Sequence, residues 1–373
     1  MTTDTSTTTV DHAVRRAALR THLQHIGADV ALVSDLTNVR YLSGFTGSNA
    51  AVLVDATEAD ADRISTDGRY TTQVAEQAPD LPVILGRNCP AVLLEHLATR
   101  GLTVAVEEHV LSVSAWRALE AAATAAAPPT RLVDLGSAVE RLRSVKDEVE
   151  IGLLRAACAV ADDALAAIIE RGVIAPGATE RQVARTLEWE MFARGAQAIS
   201  FETIVAAGAH SAVPHHRPTD AVLVEGDFVK LDFGAVVGGY HSDMTRTFVL
   251  GAAAQWQRDI YDLVATAQAA GRAALAPGAD LAAVDAAARS VIDAAGHADH
   301  YVHGLGHGVG LQIHEAPSIG KTAVGTLPSG AAVTVEPGVY LPGRGGVRIE
   351  DTLVVRAGSP ELLTTTDTSF SVI

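Results

Sequence analysis

The chain has 373 residues, 48% of them hydrophobic, a formal net charge of −16 and two cysteines, Cys89 and Cys158. That length predicts more than one domain. Two cysteines far apart in sequence exclude a disulfide framework and a thiolate metal site, and they fit a reducing compartment. The acidic balance, without a Lys/Arg run, argues against nucleic acid as a partner. With no apolar run of about 18 residues and no basic-then-apolar leader, a protein that neither spans a membrane nor carries a secretory signal is expected, with the cytoplasm as its compartment.

The Thr-rich residues 1–10 are expected to be disordered. From 11 to 135 helices and strands alternate, an α/β pattern. HAVRRAALRTHLQHIG has helical spacing and stops at Gly27. ADVALVSD and AAVLVDA read as strands, with VRYLSGFTGSNA a loop between them. TVAVEE is a further strand, and AWRALEAAATAAAPP a helix stopped by Pro128 and Pro129. A boundary falls near 136, so 136–373 is the second domain. It opens with a long helix that has Val145, Val149, Leu153 and Leu154 on one face. Further helices are predicted at 179–195, capped by Thr179, and near 255–275 and 280–295. Strands are predicted at 227–234, 244–250, 332–336 and 347–355. The strings APGATE and APGADL introduce similar helices in the two halves of this domain.

Chemistry concentrates in four stretches of the second domain. In KLDFGAVVGGYHSDMTRTF, Asp232 ends an apolar strand and Asp243 follows a Gly-Gly hairpin, so one site can receive both carboxylates. Turn-capping aspartates are the plain alternative. HGLGHGVGLQIHE holds His303, His307 and His314, with glycines at 304, 306, 308 and 310 that allow close backbone approach or unusual φ. The residues after His314-Glu315 are Ala-Pro, so this is not an H-E-x-x-H zinc helix. Glu336 ends AAVTVE before Pro337-Gly338, and Glu350 ends VRIE. Arg348, two residues before Glu350, shares its strand face. It either locks a ligand carboxylate or reads a substrate carbonyl. Four carboxylates and one imidazole can hold two divalent cations, which together acidify a shared water and clamp the attacking and leaving oxygens. Hard oxygens with one imidazole suit Mn(II), Co(II) or Fe(II) better than a thiolate-rich zinc site would, and Zn(II) also binds such donors.

The order Asp, Asp, His, Glu, Glu, the spacing Asp-x10-Asp and the later pair EPG and RIED resemble the ligand set of the pita-bread metallopeptidases. SFETIVAAGAHSAVPHH, DFVKLDFG, HGLGHGVGLQIHE and GGVRIED resemble the Xaa-Pro branch, aminopeptidase P and prolidase, more than methionine aminopeptidase. NVRYLSGFTGSNA followed by STDGRYTTQVAEQ is similar to the N-terminal domain of aminopeptidase P. The resemblance implies a smaller creatinase-like N-terminal α/β domain followed by a pseudo-symmetric pita-bread catalytic domain. It also implies metal ligands Asp232, Asp243, His307, Glu336 and Glu350, with Glu336 acting as general base and later acid. His303 and His314 are implied to stabilise the tetrahedral intermediate or position the proline carbonyl, and His215 to contact substrate at the site mouth. One departure is His210 in AGAHSAVPHH, where a small polar residue such as Asn is expected.

The function so implied is a dinuclear, manganese-dependent Xaa-Pro aminopeptidase acting on proline-containing peptides as a homodimer. The alternative is an Xaa-Pro dipeptidase restricted to dipeptides. A creatinase-type hydrolase or a dead binding module would have lost the ligand set. A methionine aminopeptidase would lack the N-terminal domain.

Overall fold

The structure, a computed structural model, describes residues 10–373. Apart from Val10, the expected disordered segment 1–10 lies outside the described residues. Two compact units divide between Arg143 and Ser144, so the short helix Ala138–Arg143 belongs with the first.

In the first unit a six-stranded mixed sheet runs Val83–Leu85, Arg63–Thr66, Ala50–Asp55, Val30–Val33, Thr103–Val106, Arg131–Asp134. Ala50–Asp55 pairs antiparallel with both its neighbours, and Thr103–Val106 parallel with both of its own. The predicted helix appears as His12–Ile26, capped by the Asp11 side chain and ended by Gly27 at φ 67°. A left-handed terminal residue of this kind favours glycine. The expected loop at 39–50 is a correction: its first part is the end of a helix, Leu36–Ser43. Asp35 caps it by accepting from the backbone N–H of Thr37 and Asn38, and Val39 and Leu42 enter the core. The turn residues of the segment are concentrated after Gly44.

The second unit opens with helix Glu148–Glu170, entered through a capping box between Asp147 and Glu150. The long helix is therefore present, but its expected apolar face is corrected. Val145 lies outside it and is 44% exposed, and the buried face is Ile151, Leu154, Cys158, Ala161, Leu165 and Ile168. Helix Glu180–Ala193 comes next, capped by Thr179 as predicted. This helix pair packs on an antiparallel three-stranded sheet ordered Met244–Val249, Phe228–Phe233, Ile204–Ala207. A second pair, Gln255–Ala273 and Leu281–Ala294, packs on a five-stranded sheet through Val264, Val284, Ala288, Ile292, Val333 and Val335. Burying each valine or isoleucine among these stabilises the unit by about 1.5–3 kcal/mol. The APGATE and APGADL openings behave alike. Thr179 makes an antiparallel bridge to Val222, and Asp280 to Thr326, each just before its helix.

Strand alternation aims the polar residues. In Phe228–Phe233, Val229, Leu231 and Phe233 enter the core under the first helix pair. Successive strand residues point to opposite faces, so Lys230 and Asp232 turn away from that core. Thr245 sits directly across from Asp232 in the register. The single strand expected at 347–355 is corrected to two, Gly345–Arg348 and Asp351–Val354, and Glu350 lies at the break. Cys89 and Cys158 are free and buried. No helix among the described residues is long and apolar enough to cross a membrane.

Candidate metal centre

All nine residues singled out in the sequence line one cavity of about 490 Å³ in the second unit: Asp232, Asp243, His307, Glu336, Glu350, His215, His303, His314 and Arg348. Asp232 comes from the end of one sheet, Asp243 from the turn into its neighbour, and Glu336 and Glu350 from two strand ends of the five-stranded sheet region. His307 sits mid-strand in Gly306–Gly308, at a register shift against Glu315–Ile319. The glycines around it serve close approach rather than unusual φ, since none of 304, 306, 308 and 310 has positive φ. A Cβ on Gly306 would lie 2.0 Å from the Thr334 carbonyl oxygen, and one on Gly308 2.2 Å from that of Ala316.

Two features test whether cations fit here. His307 Nδ1 lies 3.1 Å from the Gly308 carbonyl oxygen, which can only accept, so Nδ1 carries the proton. Burial holds the ring down at about 4, so it is neutral at pH 7. Its Nε2 lone pair then faces Glu336 Oε1 at 3.3 Å and Asp243 Oδ2 at 3.5 Å. Acceptor against acceptor is repulsive unless a cation or a proton lies among them, and a ring fixed by a backbone carbonyl is the usual arrangement of a metal-ligating histidine. The second feature is Glu350. Its Oε2 accepts from the Thr245 hydroxyl at 2.7 Å, while its Oε1 is buried with no hydrogen-bond partner. Ligand atoms of Asp243, His307 and Glu350 lie within 4.8 Å of one another. Burial, then the other carboxylates, push Asp243 and Glu350 well above the usual range. Burial likewise pushes Glu336 up to about 7. This is an electrostatic strain that divalent cations relieve.

Arg348 is 2% exposed and makes a salt bridge through Nη2 to Asp232 Oδ2. Its Nε donates to Thr245 Oγ1 at 2.9 Å, and its Nη1 to the Tyr340 hydroxyl at 2.8 Å and the Pro214 carbonyl at 3.2 Å. Of the two readings left open, these bonds favour the lock on a ligand carboxylate. They also reveal residues that sequence reasoning missed. Thr245 relays between Arg348 and Glu350. Thr334 holds the His307 backbone N–H at 3.1 Å and donates to Glu336 Oε1 at 3.3 Å. Their signal was strand parity: Thr245 faces Asp232, and Thr334 lies two residues before Glu336.

The histidines divide. His303 has both ring nitrogens engaged, Nδ1 at 2.8 Å from the Gly304 carbonyl and Nε2 at 2.8 Å from the Tyr340 hydroxyl. Tyr340 receives from Arg348 and donates to His303, so Arg348, Tyr340 and His303 form one chain. His314 and His215 are exposed and line the cavity. The His314 ring packs edge-on against His307, centroids 4.4 Å apart. Burial, then His215, lower the His314 pKa. Phe201, Ile204 and Ile313 give the cavity an apolar side.

Known proteins carry the same organisation. Residues 152–357 match the model of metallopeptidase family M24, and residues 15–145 that of the creatinase/prolidase N-terminal domain. The chain is 36% identical over 348 residues to an uncharacterized peptidase, YqhT, of Bacillus subtilis, covering 93% of this chain and 96% of that one. It is 42% identical over 229 residues to the Xaa-Pro dipeptidase of Pyrococcus furiosus, covering 61% and 65%. Among solved structures, an Xaa-Pro dipeptidase from Bacillus anthracis superposes with a TM-score of 0.90 at 33% identity, over 97% of this chain and 100% of that one. An X-Pro aminopeptidase from Thermotoga maritima does so with 0.85 at 32%, over 96% and 99%. With five candidate ligands around one cavity and both family models matched in order, the chain belongs to metallopeptidase family M24, a peptidase with a creatinase-like N-terminal domain and a pita-bread catalytic domain.

Proposed function

We propose that this peptidase hydrolyses the bond between an N-terminal residue and a following proline. The names of its relatives support that bond, and the cavity volume suits a short peptide. The observation that carries the chemistry is the His307 lone pair directed at Asp243 and Glu336. Asp232, Asp243, His307, Glu336 and Glu350 would hold two divalent cations; the oxygen-rich donor set suits Mn(II), Co(II) or Fe(II), and the resemblance to the Xaa-Pro enzymes puts manganese first. When bound, the ions supply Lewis acidity that polarises the scissile carbonyl and acidifies water.

The residues do the rest. The Glu336 side chain is 17% exposed, against 9% for Asp232 and 6% for Asp243, and Glu350 is 2% exposed, so Glu336 is the carboxylate that water and substrate reach. It takes the proton of the attacking water and returns it to the proline nitrogen, which must be protonated to leave. A tertiary amide has no N–H of its own to offer. His314 donates to the oxyanion, and His215 contacts substrate on the leaving side. Arg348 keeps Asp232 in place, and His303, held by Tyr340, buttresses the wall. The first unit, read from sequence as 11–135 and running to Arg143 in the structure, is the accessory domain, and the second unit, read as 136–373, the catalytic one. A cytoplasmic homodimer completes the reading.

The sequence favoured an aminopeptidase. The dipeptidase reading gains weight from the Pyrococcus furiosus and Bacillus anthracis relatives, both named Xaa-Pro dipeptidase. Purified enzyme, assayed for metal content and then on Gly-Pro against Xaa-Pro-Xaa peptides, tests both levels. Turnover of neither substrate by metal-loaded enzyme refutes the proposal. Turnover of dipeptides alone selects the dipeptidase.

A further inference from the structure

Glu180 lies outside the cavity lining and is 0% exposed. It is the first residue of helix Glu180–Ala193, with its carboxylate turned inward. Five donors meet that carboxylate. The Ala207 backbone N–H and His210 Nδ1 reach Oε1, each at 2.9 Å. His216 Nε2 at 2.9 Å, the Thr219 backbone N–H at 2.9 Å and the Thr219 hydroxyl at 2.7 Å reach Oε2. A carboxylate only accepts, so both histidines present N–H to it. Their rings stack with centroids 4.4 Å apart. Both oxygens are thereby saturated by donors, which makes the cluster a clamp on the chain rather than a cation site.

The clamp encloses the segment that carries His215. Its donors lie before, within and after residues 208–216. The middle is pinned from the opposite side. Lys230 Nζ donates to the carbonyls of Val213 at 2.7 Å and Pro214 at 3.2 Å, and Arg348 also reaches Pro214. Ser211 Oγ accepts from the Gly346 N–H at 2.9 Å. His215 itself is exposed into the cavity. A side chain on such a segment keeps its place only through the segment's anchors.

We propose that Glu180 is a positioning residue of the peptidase, which through His210, His216 and Thr219 fixes the backbone that aims His215 at the substrate. This gives His210, the departure from the family pattern, a use beyond altering a turn: it is one strut of the clamp, and His216 is the other. The inference rests on the reading of His215 as a substrate contact.

The test compares Glu180→Gln, His215→Ala and the double variant as manganese-loaded, full-length enzymes. An amide presents one acceptor and one donor, so Glu180→Gln leaves part of the donor set facing an N–H. Expected is a fall in kcat/KM on an Xaa-Pro peptide of about tenfold to a hundredfold, the cost of a misplaced catalytic group. Two manganese ions should still bind. In the His215→Ala background the same substitution should change kcat/KM less than twofold, a coupling that a merely structural role would not produce. Hydrogen exchange of the peptides spanning 207–219 should speed up in Glu180→Gln while the rest of the chain is unchanged. Full additivity of the two losses, or a Glu180→Gln enzyme with wild-type kcat/KM and wild-type exchange, overturns the proposal. If His215→Ala alone leaves kcat/KM intact, the substrate-contact reading fails. The clamp is then judged by exchange alone, faster exchange supporting it and unchanged exchange refuting it. Should Glu180→Gln not fold, His216→Phe removes the donor of one strut while keeping a ring against His210, with the same coupling and exchange expected at smaller size.

Discussion

Removing the metal ions should give this protein an inverted dependence of stability on pH. Without cations, Glu336 is pushed up to about 7 from 4.5 by burial, and burial with mutual repulsion raises Asp243 and Glu350 well above the usual carboxylate range. The fold then holds protons that unfolded carboxyls release above about pH 5. A raised folded pKa means stability that is present at low pH and lost as pH rises through that pKa. The buried histidines act the other way. His303 is held down at about 3 and His307 at about 4, chiefly by burial, so their contribution is lost as pH falls below about 6.5. Above pH 6.5 they are neutral folded and unfolded, and the raised carboxylates set a falling slope, opposed by Lys230, whose pKa burial lowers. Each proton bound only in the fold changes stability by about 1.4 kcal/mol per pH unit. One to three such protons predict a loss of about 1–4 kcal/mol per unit between pH 6.5 and 8, several degrees of melting temperature. Calorimetric melts of chelated protein across that range measure it. Added Mn(II) should flatten the curve and raise it, because cations bind the ionised carboxylates of the fold only. A chelated protein whose melting temperature is flat or rises over this window refutes the reasoning. So does a Glu336→Gln, Glu350→Gln variant with the wild-type slope.

Asp243→Ala should reduce bound metal below two ions per chain and abolish turnover with little change in circular dichroism. A full-rate variant would sink the dinuclear reading. His314→Ala should lower kcat by roughly 10²–10³ while metal content stays constant, as for loss of one oxyanion donor. Parallel loss of metal and rate, read by elemental analysis, would make it a ligand support instead. Gly306→Ala should prevent correct assembly of the site, since its Cβ would lie 2.0 Å from a backbone oxygen that cannot move aside. Soluble protein with normal metal content would contradict that. Tyr340→Phe removes the link between Arg348 and His303, and a fall in kcat with unchanged metal content is expected.

The five candidate ligands were legible in the linear chain because each sits at a strand end or in a glycine-bounded strand, where short-range pattern and residue type coincide. Helices at 12–26, 179–195, 255–275 and 280–295 were legible for a similar reason: periodicity and caps are local properties. The helix at Leu36–Ser43 was hidden, because its signal is a single Asp35 cap ahead of a short segment rich in turn formers. Other features depended on residues far apart in sequence meeting in space. Arg348 left two readings open until its guanidinium was seen against Asp232, Thr245 and Tyr340. His303 and His314 look equivalent in HGLGHGVGLQIHE, yet Tyr340 occupies one ring while the other stands exposed at the cavity. Glu180 carries no signal in the linear chain beyond its place at a helix start. It gathers donors from residues 27 to 39 positions away, a relation only the packed chain creates. Residue type and spacing determine which groups are available for chemistry. Hydrogen-bond partners decide which lone pairs and protons remain free to use, and those partners are chosen by tertiary packing.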